Sequence, residues 1–177
     1  MIRLLLAAAW LFAAARSLAT SSPSFVQKAL LKSGRGKSLR EEVVGRYFDG
    51  VNKKDAEQIA SCFGSDGARI RDVCGPSGVE REASRDQLAD RCMEFLAAHP
   101  DARVDFHYGP TCGGGRGDRW VFAHWYETGT WSGESCGIDP EGTPLAVEGQ
   151  TRFEVSDDLK IIRMVVTRTF SDWEKKL

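Results

Sequence analysis

The chain has little that would bind a metal or a nucleic acid. Its five cysteines include no CxxC pair, and its three histidines stand at no ligand spacing, so no zinc finger or ribbon is encoded and no metal is expected. An odd cysteine count excludes a complete set of disulfides and leaves room for one bridge in an oxidising compartment. No apolar run reaches the roughly 20 residues that span a bilayer. Residues 1–40 hold seven Lys or Arg and no Asp or Glu. The remaining 17 basic and 25 acidic residues give 41–177 a net charge of -8. An acidic body offers no basic face for a phosphate backbone, so no nucleic-acid partner is expected. There are no internal repeats and no sign of a second domain; 177 residues suffice for one domain with a real core.

What is present begins with an address. Arg3 precedes the uncharged run Leu4 to Ala15, then Arg16, then Ser17-Leu18-Ala19 with small residues at the positions a signal peptidase reads. Residues 1–19 are expected to be a signal peptide. Residues 20–38, Ser-rich, basic and acid-free, have the composition of a transit peptide. The pair resembles the bipartite leaders of proteins sent to complex plastids. A plastid is the expected destination, with secretion and the mitochondrion as alternatives, and no membrane span is expected after cleavage. Gly34-Arg35-Gly36-Lys37-Ser38 mimics the end of a phosphate-binding loop, but Leu31 stands where such a loop needs glycine.

The body, 39–172, reads helix, helix, strand, helix, then four strands, with a charged tail at 173–177. Leu39, Val43, Tyr47 and Val51 form a helical stripe with Val44 and Phe48 beside it. Asp55 with Gln58, and Ser84 with Gln87, predict two further helix starts. Ala68 to Cys74 reads as a strand and Gly75 to Ala83 as a loop. Val104, Phe106 and Tyr108 alternate before the Gly113-Gly114-Gly115 turn. Trp120–Trp131, Leu145–Val155 and Lys160–Phe170 complete the strands. Helices placed ahead of a mostly antiparallel sheet predict an α+β domain.

Two stretches carry a resemblance. VVGRYFDGVNKKDAEQIASCFGSDGARIRDVCG, Val43 to Gly75, resembles the first third of ketosteroid isomerases. VFAHWYETGTWSGESCGIDPEG, from Val121, resembles the SnoaL-like polyketide cyclases. With the element order, this makes 39–172 resemble the nuclear-transport-factor-2-like superfamily. The resemblance implies a cone-shaped, curved antiparallel sheet wrapped around three helices, a cystatin-like α+β barrel, with an internal pocket and a homodimer. It implies no cofactor. Tyr47 falls where the isomerases keep a hydrogen-bond donor to the enolate oxygen. Asp72 falls where they keep the general base, if one residue is inserted at the Ser65–Gly67 turn. Their third group, a protonated Asp, falls at Thr151. The cyclases' His and Asp fall at Trp131 and Val166, neither of which moves protons.

The residues themselves allow the same chemistry and a plainer one. Proton abstraction beside a carbonyl needs a base near the carbon and a donor at the oxygen, which Asp72 and Tyr47 could be. Tyr47 equally suits a core aromatic, and Asp72 equally suits a turn residue that caps backbone N–H groups. On strand alternation Trp125, Glu127 and Trp131 share a face with Val121 and Ala123, so two tryptophans would clamp a flat ligand with Glu127 as polar anchor. Gly129 is a candidate bulge. His124 is expected on the opposite face, His107 in solvent, and His99 at a helix end. The expected partner is a small apolar or aromatic molecule. The expected function is a cofactor-free isomerase or cyclase acting by proton abstraction; the alternative is a ligand-binding or dimerisation module. Whether the chain is an enzyme stays open at this level.

Overall fold

A computed structural model describes residues 29–31, 35–75, 77–115, 118–135 and 137–170. The segment expected to be a signal peptide, most of the segment expected to be a basic leader and the tail at 173–177 lie outside them. Three helices are described: α1 (Arg35–Lys53), α2 (Ala56–Ser61) and α3 (Arg85–Ala98). Six strands form one open sheet: β1 (Ala68–Asp72), β2 (Arg81–Ala83), β3 (Arg103–Cys112), β4 (Trp120–Thr130), β5 (Pro144–Val155) and β6 (Ile161–Arg168), in the order β2-β1-β6-β5-β4-β3. The sheet curves around the helices without closing, and the fold is α+β. Among the described residues no helix is long and apolar enough to cross a membrane.

The helices start where side chains can cap them. Asp55 accepts the Gln58 N–H at 2.9 Å, and Ser84 and Gln87 form a reciprocal capping box. α1 begins at Arg35, ahead of the expected boundary at 39, with Arg40 buried and paired to Asp157 at 3.0 Å. Its apolar stripe, Val43, Val44, Tyr47, Phe48 and Val51, is buried against the sheet. Asn52, just before the hinge, holds this helix to β3. Its side chain accepts the Val104 N–H at 2.8 Å and donates to the Val104 carbonyl at 2.9 Å.

The sheet departs from expectation in two places. The region read as a loop contains β2, three residues paired antiparallel with β1. β1 also pairs parallel with β6, in a sheet that is otherwise antiparallel as expected. Gly129 is not a bulge: the β4–β5 register passes through Gly129↔Leu145 unbroken. A Cβ at Gly129 would stand 2.9 Å from the Ala102 Cα, so close approach of two backbones excludes a side chain there. The register shifts lie instead on β3, between Phe106 and Tyr108 and between Tyr108 and Thr111. Cys62, Cys74, Cys92 and Cys112 are unpaired, and Cys136 lies outside the described residues.

Candidate functional site

Helices α1 and α3 and the inner face of the sheet enclose a cavity of about 330 Å³. Its wall is mostly apolar, from Phe48, Leu96, Val104, Val147, Phe153, Met164 and Val166. Tyr47, Asp72, Trp125, Glu127 and Thr151 also line it, so five of the six residues singled out in the sequence meet at one space.

Tyr47 is brought there by the α1 stripe. It is 9% exposed, with ring centroids 5.2 Å from Phe48, 5.8 Å from Phe63 and 5.7 Å from Phe153. Its hydroxyl lies 3.6 Å from the Cys92 sulfur on α3. Burial, followed by the neighbouring Cys92, raises the phenol well above its usual pKa, and burial also raises the Cys92 thiol. Both groups therefore face the cavity uncharged at neutral pH. Such a phenol is a hydrogen-bond donor.

Asp72 ends β1 at the cavity's more exposed edge. Its Oδ1 accepts the backbone N–H groups of Cys74 and Gly75, each at 3.1 Å. Its Oδ2 accepts two bonds from Arg168, Nε at 3.1 Å and Nη2 at 2.8 Å. A carboxylate offers about four acceptor sites, and these four donors occupy them. A general base needs one of them vacant. Asp72 thus caps the turn after β1 and fixes Arg168, and Arg168 is itself a cavity residue.

On β4, Val121, Ala123, Trp125 and Glu127 alternate onto the inner face as expected. Glu127 is registered between Val104 and Val147, both buried. The Trp125 indole donates to Thr151 Oγ1 at 2.8 Å, so Thr151 acts there as the acceptor that fixes the ring. The ring lies over Gly149, where a Cβ would fall 2.6 Å from it. Trp131 corrects the expected clamp. β4 ends at Thr130, whose N–H is held by Asp101 at 2.7 Å, and Trp131 prolongs the pairing with the segment before β5, its N–H donating to the Thr143 carbonyl at 2.9 Å. Trp131 is 2% exposed, donates to the Gly133 carbonyl at 2.8 Å and does not line the cavity.

Sequence reasoning did not place Cys92, Arg91 or Arg168 at this site. Cys92 was legible as a buried thiol on the apolar face of α3, but not as the neighbour of Tyr47. Arg168 carries no local signal, because its partner Asp72 is distant in the chain and meets it only through the parallel β1–β6 pairing. The histidines behave as expected: His107 is exposed, and His99 caps the end of α3, fully buried with Nδ1 2.9 Å from the last-turn carbonyl of Phe95.

A curved, open sheet wrapped on three helices around an apolar cavity defines an α+β protein of the nuclear-transport-factor-2-like superfamily. The family model described as a SnoaL-like domain matches residues 44–164, and the chain belongs to that family. Solved structures agree in fold. AclR of Streptomyces galilaeus, described as a candidate hydroxylase, aligns with a TM-score of 0.61 at 16% identity over 75% of this chain and 80% of its own. A candidate SnoaL-like polyketide cyclase from Jannaschia sp. CCS1 aligns with a TM-score of 0.60 at 19% identity, covering 77% and 88%. SalBIII, described as an epoxide hydrolase/cyclase-like enzyme in pyran ring formation in the polyether salinomycin, gives 0.58 at 21%, covering 75% and 92%. No sequence among curated proteins matches the chain significantly.

Proposed function

We propose that this chain binds a small, mainly apolar molecule carrying a neutral oxygen, and that Tyr47 donates a hydrogen bond to that oxygen. The observation that carries this reading is a neutral, buried phenol on the wall of a mainly apolar cavity of about 330 Å³, a size within the range of small-molecule sites. Trp125, fixed by Thr151, supplies a flat apolar surface. The description of fold neighbours as cyclases and a hydroxylase supports a cavity used for small organic molecules.

Proton transfer is the second reading, with Asp72 as base and Tyr47 as donor to the developing oxyanion. It is favoured by one observation, that both line the same cavity. It requires Arg168 to release Oδ2 before Asp72 takes a proton. Asp72→Asn separates the two readings: it abolishes turnover of a co-purifying ligand under the second and leaves ligand binding in place under the first.

The binding reading is tested with 2-naphthol, a flat apolar ring with one hydroxyl, titrated against tryptophan fluorescence. Saturable quenching is expected, weakened about 2- to 10-fold in Tyr47→Phe by loss of one hydrogen bond and lost in Val147→Phe, which fills the cavity. Quenching that is absent, or unchanged in both variants, overturns it.

A further inference from the structure

We propose that the outer face of the sheet carries a site for a divalent transition-metal ion of the zinc class. Its ligands are His107 Nε2, His124 Nε2 and the Glu148 carboxylate, with the remaining position open to water. The three residues come from three adjacent strands, β3, β4 and β5, on the face turned away from the apolar cavity. Their donor atoms all lie within 4.8 Å of one another. Glu148 Oε1 stands 2.8 Å from His124 Nε2 and 3.3 Å from His107 Nε2. Ligands held at 2.0–2.2 Å in a tetrahedral zinc site stand about 3.3 Å apart, so the cluster needs only small side-chain rotations to close on an ion. Two imidazoles and one carboxylate form a ligand set that zinc takes while leaving a fourth position for water.

The backbone is arranged for this convergence. In an unbroken register His107 would sit directly opposite His124. The shift on β3 pairs Phe106 with Trp125 and Tyr108 with His124, leaving His107 as the extra residue of a bulge. Bulges re-aim side chains, and here His107 stays on the outer face with its ring centroid 4.5 Å from that of His124. Tyr126 and Tyr108 flank the pair, at 4.9 Å from His107 and 5.8 Å from His124. Glu148 is registered opposite Tyr126 and reaches His124 on the diagonal. Its backbone is pinned by Thr169, whose N–H donates to the Glu148 carbonyl at 2.9 Å and whose hydroxyl accepts the Glu148 N–H at 3.1 Å. The side chains of His107, His124 and Glu148 are 47%, 24% and 55% exposed, which gives an ion a path in and leaves room for water.

The test is zinc titration of the metal-stripped full chain by calorimetry, with the visible spectrum of the cobalt(II) form as a second readout. Expected are one zinc per chain, a cobalt spectrum free of thiolate charge-transfer bands, and an affinity that falls about tenfold or more in His107→Ala, His124→Ala or Glu148→Gln. A Cys74→Ser/Cys112→Ser variant is expected to bind as the wild type does. All are exposed or half-buried positions, and circular dichroism checks that the fold is kept. Absence of stoichiometric zinc binding, binding unchanged in His124→Ala, or a cobalt spectrum dominated by thiolate bands overturns the proposal.

Discussion

Tyr47 shows how burial decides what a side chain can do. The same phenol at the surface would be an ordinary polar group; here three aromatic rings and a thiol keep it neutral. Because the folded protein holds the Tyr47 proton more tightly than the unfolded chain does, its effect on stability is absent at neutral pH. Above about pH 10 the unfolded state ionises first and stability falls with rising pH. Cys92 and Cys112, the latter pushed up to about 11, act in the same direction from about pH 9. Denaturant midpoints measured from pH 7 to 11 are expected to be flat and then to decline, with a shallower decline in Tyr47→Phe and in Cys112→Ser. Gly149 is the other residue whose role lies wholly in a neighbour. Gly149→Ala places a methyl group against the Trp125 indole, and overpacking of this kind costs about 1–3 kcal/mol, read as a lower thermal midpoint with altered tryptophan emission. Neither role is written locally in the sequence. The apolar stripe predicts that Tyr47 is inside but not that Cys92 faces it, and Gly149 reads as an unremarked glycine in a strand.

At the scale of elements, local chemistry was legible and long-range pairing was not. Both helix caps appear in the sequence as an acceptor with Gln three residues later, and both form. The inner face of β4 follows from period-two alternation up to Glu127. At Trp131 the alternation still gives a buried side chain, but the indole is drawn to the Gly133 carbonyl and stays outside the cavity, which nothing near Trp131 announces. β2 is three residues long, too short to show a period, and the parallel β1–β6 contact that brings Arg168 to Asp72 depends on the closed fold. The bulge that aims His107 is likewise invisible to alternation. Asn52 is the clearest case of one side chain joining two elements. Asn52→Ala leaves the N–H and carbonyl of buried Val104 without that partner, and a loss of about 2–3 kcal/mol is expected in urea unfolding. Asp72→Asn keeps a turn-capping oxygen but loses the ion pair with Arg168. With both side chains partly exposed, a smaller loss of about 1 kcal/mol, reduced by salt, is expected.

For the whole molecule, an acidic α+β body follows a basic N-terminal segment with no acidic residues. Residues 1–38 fused to a fluorescent protein are expected to deliver it to a plastid; retention in the secretory route or arrival in mitochondria would reassign this segment. The body places an apolar cavity on one side of a single sheet and a cross-strand His–Glu–His cluster on the other. Family membership explains the cavity but not its chemistry. Trp131 and Val166, the positions to which the sequence resemblance assigns the cyclases' His and Asp, lie one outside the cavity and one as an aliphatic part of its wall. What remains for recognition is a neutral phenol, a fixed indole, Glu127 and an arginine held by a carboxylate. The most direct measurement is a crystal structure of the chain grown with 2-naphthol. The ring is expected between α1, α3 and the inner face of β4 to β6, with its oxygen within hydrogen-bonding distance of the Tyr47 hydroxyl. A naphthol found elsewhere, with the cavity holding only water, would contradict a ligand-binding role for this site.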